Sequence, residues 1–278
     1  MKIEDLCGRG KATHEQEIVR CDQAGMHRET RIILHETLMH VEINGQLAMK
    51  LVCTAEDLPE LIVGHLYSEG RISSAEDVTE ICISADGKQA QVKTAQPIAL
   101  YKKPLEIRAC NCGEDGVMER ATIADADIAP LPDFSWKPEW IYDLARAFRE
   151  GARLYQLTHG IHSCFLMHEG KILFCCEDIG RHNALDKAIG RALMEGIDLT
   201  QCVLFSSGRI PDDMIEKAIR ARVPVLASNA VPTDRAVELA REYHVILICT
   251  AREKGMDVFS CRELWTASGT AQNDTCTA

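Results

Sequence analysis

Cys110 and Cys112 stand one residue apart in RACNCGEDG, residues 108–116. Thiols at that spacing could clip a metal, form a redox pair or carry sulfur. A structural zinc site needs four ligands, commonly from two such clips, and no second clip follows. Cys175 and Cys176 are adjacent, so on a strand they would point to opposite faces. A CxC disulfide closes a small, strained ring that is readily reduced. A nucleophilic thiolate is the third chemistry: Arg108 would lower a neighbouring thiol pKa, whereas Glu114 and Asp115 would raise it. The residues alone leave open the ionisation state, and whether these are simply two free structural thiols.

Three other stretches carry groups suited to binding. In SSGRI, Ser207, Gly208 and Arg209 lead into Pro211 and a helix start, where free amides and a guanidinium could hold an anion. Asp212 and Asp213 in the first turn would already satisfy that helix dipole and repel a phosphate placed there. In TAREKG, residues 250–255, Arg252, Lys254 and Gly255 follow an apolar strand. Finally, THGIHS and CCEDIGRHNALDK gather His159, His162, Glu177, Asp178, Arg181, His182 and Asn183 around one hairpin, with Gly160 and Gly180 at turns. These groups could form a pocket, or Glu177 or Asp178 could simply pair with Arg181 at a helix entrance.

The elements that position these groups follow from periodicity. LMHVEINGQLAMKLVC alternates apolar and polar residues about Asn44-Gly45 and predicts a hairpin. Thr54 and Asp57 resemble a capping pair for a helix running to Gly70, and a second hairpin turns at Asp86-Gly87. The N-terminal third is therefore expected to be α+β with mainly antiparallel strands. Three prolines in ADADIAPLPDFSWKPEW mark a domain junction. Beyond it, WIYDLARAFREGARLY predicts one helix, and SCFLMHEGKILFCCED a hairpin about Glu169-Gly170. Asn183 stands as N-cap of a helix with Leu185, Ile189 and Leu193 on one face, ended by Gly196. From residue 202 the order strand, helix, strand, helix, strand predicts parallel pairing with right-handed crossovers. The exits SSGR, SNAVP and TAREKG then share one sheet edge, where open α/β sheets bind ligands.

The formal net charge of −11 argues against general binding to nucleic acid or anionic membrane, because an attractive field for phosphates is missing. No apolar run approaches the roughly 20 residues needed to cross a bilayer. The N-terminus lacks the basic start and apolar run of a secretory signal, so a cytoplasmic protein is expected, its thirteen cysteines mostly free thiols.

EDIGRHNALDKAIG, THGIHS, SSGR and PVLASNAVPTDRAVELA together closely resemble the formate dehydrogenase accessory sulfurtransferase family, and LPELIVGHLYSEGRI resembles its N-terminal signature. The likeness spans roughly residues 30–265. It implies a two-domain α/β protein: an N-terminal extension over 1–28, an α+β domain over 29–130 ending in the cysteine loop, a cytidine deaminase-like cofactor-binding domain with a mixed, largely parallel sheet over 138–266, and a flexible tail over 267–278. It implies a sulfurtransferase that moves persulfide sulfur from a cysteine desulfurase to the molybdenum bis(guanine dinucleotide) cofactor for formate dehydrogenase, with no permanently bound metal. A homodimer is a further implication.

By the same resemblance Cys110 is the preferred persulfide carrier and Cys112 its companion. The family pattern is CxxC, and this loop is one residue shorter, which leaves the two cysteines as alternative carriers. The cofactor-binding stretch falls on Thr250, Ala251, Arg252, Glu253, Lys254 and Gly255. Ser207, Gly208, Arg209, His159, His162, Glu177, Arg181 and His182 are further candidates for the pocket. Two rivals stand beside this reading. A zinc deaminase would need HxE and PCxxC elements, which are not written here; the shortened loop raises as the other alternative a non-catalytic chaperone that binds the molybdenum cofactor for formate dehydrogenase.

Overall fold

The computed structural model describes residues 1–7, 12–98, 105–107 (backbone only) and 128–262. The RACNCG loop, with Cys110 and Cys112, and the tail lie outside the described residues.

Among the described residues the chain builds two six-stranded sheets, each with its own core, and a separate two-stranded ribbon. The N-terminal sheet runs β1 (Lys2–Asp5), β6 (Val78–Ile83), β7 (Gln89–Thr94), β4 (Thr37–Ile43), β5 (Gln46–Cys53), β8 (Leu105–Ile107). Both predicted hairpins form: Asn44 and Gly45 take φ values of 51° and 81°, as a type I′ turn requires, and Gly87 takes 71°. Between them lies helix α1 (Leu58–Ser68). The sheet is mixed rather than mainly antiparallel, because β1 pairs with β6, β4 with β7 and β5 with β8 in parallel. Only the hairpin pairings are local enough to be visible as turn signals.

Strands β2 (Thr13–Asp22) and β3 (Gly25–Leu34) form the two-stranded ribbon, which runs across the boundary expected at residue 28.

The C-terminal sheet has the order β10 (Lys171–Asp178), β9 (His162–His168), β11 (Cys202–Ser206), β12 (Val225–Ser228), β13 (Ile246–Arg252), β14 (Gly255–Ser260). The β11–β12 and β12–β13 pairings are parallel, as predicted, and the other three are antiparallel. A largely parallel sheet is therefore not found: the β9–β10 hairpin and β14 add antiparallel flanks. Helices α5 (Asp212–Arg220) and α6 (Asp234–Glu242) make the crossovers. The single helix expected after the junction is two, α2 (Pro138–Glu150) and α3 (Arg153–Thr158), because Gly151 at φ 77° ends the first.

Helix α4 (Arg181–Met194) joins the two cores by packing along α1. Its N-cap is Gly180, not Asn183, and Asp57 caps α1 only with its backbone. The expected side-chain caps are absent, and Thr54 and Asn183 are used between the two units instead. Thr54 N–H donates to Asp178 Oδ2 (2.9 Å), and Ile179 N–H to Thr54 Oγ1 (3.0 Å). Asn183 Nδ2 donates to Val52 O and to Asp178 Oδ1, both at 2.9 Å. Lys187 Nζ lies 2.7 Å from Asp178 Oδ2 and donates to Thr54 O (3.1 Å) and Glu177 O (3.0 Å).

A second buried network continues along the helices. Lys217 Nζ reaches Asp186 Oδ1 (3.0 Å) and Oδ2 (2.9 Å), and Glu69 (3.1 Å). His65 Nδ1 lies 3.1 Å from the same carboxylate, and Ser68 Oγ donates to it at 2.7 Å. Burial alone would raise the Asp186 pKa, but Lys217 and His65 outweigh it and hold the carboxyl at about 2.

Candidate functional site

The exits of β11, β12 and β13 meet at one edge of the C-terminal sheet, as parallel pairing requires. They are tied to one another. Ser228 Oγ donates to Gly208 O (2.7 Å), Thr250 N–H to Ala230 O (2.8 Å), and Arg252 Nη1 to Asn229 O (2.6 Å).

The turn after β10 delivers Arg181 and His182 to this edge. Asp178 shapes that turn by accepting Gly180 N–H at 2.9 Å. Neither Glu177 nor Asp178 pairs with Arg181, which answers the alternative posed by the sequence; Arg181 lies instead against Gly208. A Cβ on Gly208 would stand 2.7 Å from Arg181 Cδ, so glycine leaves the space the arginine fills. Arg181 Nε is buried and has no hydrogen-bond partner among the described residues.

His182 is 6% exposed, and its Nε2 lies 2.8 Å from Asp213 Oδ2 in the first turn of α5. That carboxylate thus faces an imidazole, which bears on the expected repulsion of an anion. His162 Nδ1 lies 3.0 Å from Ser207 Oγ, which also accepts Ser163 N–H at 3.0 Å. Burial, and then the charges of Arg181 and His182, hold the His162 pKa below its ordinary value, so the ring is neutral at pH 7.

The predicted TAREKG stretch is the end of β13 and its turn into β14. Thr250 adopts φ 49° at a break in strand register, and its hydroxyl donates to Asp257. Ala251 is buried, whereas Arg252 is exposed apart from its tie to Asn229. Glu253 is engaged by Arg149 Nε of α2 at 2.6 Å; Lys254, Gly255 and Arg209 are exposed. Two candidates hold structure elsewhere. Glu177 accepts Leu154 and Tyr155 N–H at 2.8 Å, capping α3, and His159 ends that helix with its ring edge-on to Tyr155. Sequence reasoning missed Asn229 and Asp257; their places beside a strand exit and past a tight turn were the available signal.

The described cysteines are all free thiols. Burial pushes Cys176 up to about 12 and raises Cys53 and Cys164 strongly. Thiols held protonated in this way are poor nucleophiles at neutral pH. Among the described residues no group of three or more His, Cys, Asp or Glu could hold a metal ion, and no helix is long and apolar enough to cross a membrane.

The sequence pattern of the FdhD/NarQ family matches residues 34–265. The chain belongs to that family. Family relatives include a protein of Streptomyces avermitilis named sulfur carrier protein FdhD, 31% identical over 268 residues, covering 90% of this chain and 95% of the relative. A protein of the same name from Saccharolobus solfataricus is 33% identical over 212 residues, covering 76% and 80%. A crystal structure of a candidate formate dehydrogenase accessory protein from Desulfotalea psychrophila superposes with a TM-score of 0.73 at 24% identity, covering 91% of this chain and 98% of that one. That likeness supports the fold.

Proposed function

We propose that this chain is a sulfur carrier that takes persulfide sulfur from a cysteine desulfurase and passes it to the molybdenum bis(guanine dinucleotide) cofactor, as formate dehydrogenase requires. The family match over residues 34–265, with relatives named sulfur carrier proteins, carries this reading. Cys110 is the proposed carrier and Cys112 the alternative. Its thiolate attacks the terminal sulfur of the desulfurase persulfide; the S–S bond there breaks, the desulfurase thiolate leaves, and Cys110–S–SH forms with no external oxidant. The body of the protein supports this assignment indirectly, since its buried thiols are held protonated.

The cofactor is the substrate, with its nucleotide arms at the strand exits. Arg181, Arg252, Lys254 and Arg209 are the cationic groups there for phosphates, and neutral His162 and Ser207 are polar neighbours. The α/β crossovers after residue 202 support a cytidine deaminase-like core over 138–266, the α+β domain taking 29–130. A cytoplasmic homodimer completes the proposal.

Intact-mass measurement after incubation with a cysteine desulfurase and cysteine tests it. The wild type gains about 32 Da per persulfide sulfur, and Cys110→Ala with Cys112→Ala loses the adduct. An adduct unchanged in the double variant overturns the assignment. Guanine-nucleotide binding that survives loss of both cysteines, with dehydrogenase maturation intact, would instead favour the chaperone reading, the alternative that the short CxC spacing raises.

A further inference from the structure

Two residues on the strand-exit segments each carry a buried polar atom with no hydrogen-bond partner among the described residues, and the two atoms are of opposite sense: the donor Arg181 Nε and the acceptor Asn229 Oδ1. Arg181 packs against Gly208 from α4, while Asn229 follows Ser228, whose hydroxyl holds the Gly208 carbonyl. Arg252 fixes Asn229 by its backbone, leaving the side-chain amide oxygen uncommitted. A buried acceptor without a partner lowers stability, so its presence at a ligand edge points to a bond made only when ligand binds. The chemistry is selective. An amide oxygen cannot pair with an ionised phosphate oxygen, since both are acceptors; it requires an N–H or O–H of the ligand.

We propose that Asn229 Oδ1 accepts the N1–H and 2-amino donors of a guanine base, while Arg181 Nε donates to an oxygen of the attached diphosphate. This rests on the proposed cofactor reading and names the residue that reads its base. Guanine presents two adjacent donors on that edge, whereas adenine presents one donor beside an acceptor, so the acceptor favours guanine.

The test is calorimetric titration of the full chain with guanosine diphosphate and with adenosine diphosphate, for wild type, Asn229→Ala and Asn229→Asp, together with melting temperatures without ligand. Asn229→Ala should weaken guanosine diphosphate about tenfold, the net effect of losing the one acceptor that the two base donors share, and leave adenosine diphosphate unchanged. Asn229→Asp, which keeps acceptor oxygens, should retain the preference. Ligand-free Asn229→Ala should melt no lower than wild type, because no internal hydrogen bond of that oxygen is lost. Unchanged affinity for guanosine diphosphate in Asn229→Ala, or equal weakening of both nucleotides with a lower melting temperature, overturns the assignment. A wild type that binds neither nucleotide overturns the cofactor reading as well, so the two failures are distinguishable.

Discussion

Gly64 and Gly190 meet backbone to backbone where α1 crosses α4. A Cβ on Gly64 would lie 1.8 Å from the Asp186 carbonyl oxygen, and one on Gly190 would lie 1.9 Å from that of Glu60. Both obstacles are main-chain atoms, so no side-chain rotation relieves the clash. Gly64→Ala or Gly190→Ala should destabilise the protein by at least about 3 kcal/mol, the upper range for overpacking. Urea unfolding measures it; a loss below about 1 kcal/mol would mean that the helices separate freely.

Lys187 and Asp178 are both fully buried, and each has further hydrogen bonds besides their ion pair. Lys187→Met would leave an uncompensated buried carboxylate and should cost about 3–5 kcal/mol. Burial opposes the charge on Lys187, yet Asp178 more than offsets it and raises the pKa above 10.5. The stabilisation is thus present below that pH and lost as pH rises past the folded value. Combining Lys187→Met with Asp178→Asn should cost less than the sum of the single changes in a double-mutant cycle. Simple additivity would show that the pair is not coupled.

The role of this pair explains which parts of the sequence were legible. Hairpins at Asn44-Gly45 and Glu169-Gly170, and the crossovers after residue 202, rest on local turn chemistry and periodicity, and they form. The EDIGRHNALDK run was conspicuous, but its polar density reads equally as pocket or framework. Arg181 and His182 reach the strand exits, whereas Asp178, Asn183, Asp186 and Lys187 lock the two units together through partners 118 to 133 positions away. Nothing in local spacing reveals Val52, Thr54 or His65 as those partners. Parallel pairing of β4 with β7 was hidden for the same reason.

Asp186 sets an acid limit. Its folded carboxyl titrates at about 2 against an ordinary value of 3.8. The stabilisation is present above pH 3.8 and disappears as pH falls through 2. The shift corresponds to about 2 kcal/mol. Urea midpoints of wild type and Asp186→Asn, compared at several pH values, should differ most at neutral pH and converge towards pH 2. A difference that does not narrow would assign the effect of the substitution to packing.

Thr250 is a β-branched residue at φ 49°, a conformation that costs about 1–3 kcal/mol for such a side chain. Thr250→Gly relieves that strain, but it forfeits the hydroxyl bond to Asp257 and adds chain entropy, each worth about 1 kcal/mol. These terms nearly cancel, so stability should change by less than about 1 kcal/mol. Nucleotide binding should respond differently, because the kink aims the turn after β13 at the strand exits. Thr250→Gly should weaken guanosine diphosphate about tenfold, equivalent to about 1.4 kcal/mol, and Asp257→Asn, which keeps an acceptor for the hydroxyl, should bind nearly as wild type. Calorimetry and urea unfolding on the same preparations separate the two effects. Unchanged affinity in Thr250→Gly would make the kink a consequence of strand register alone.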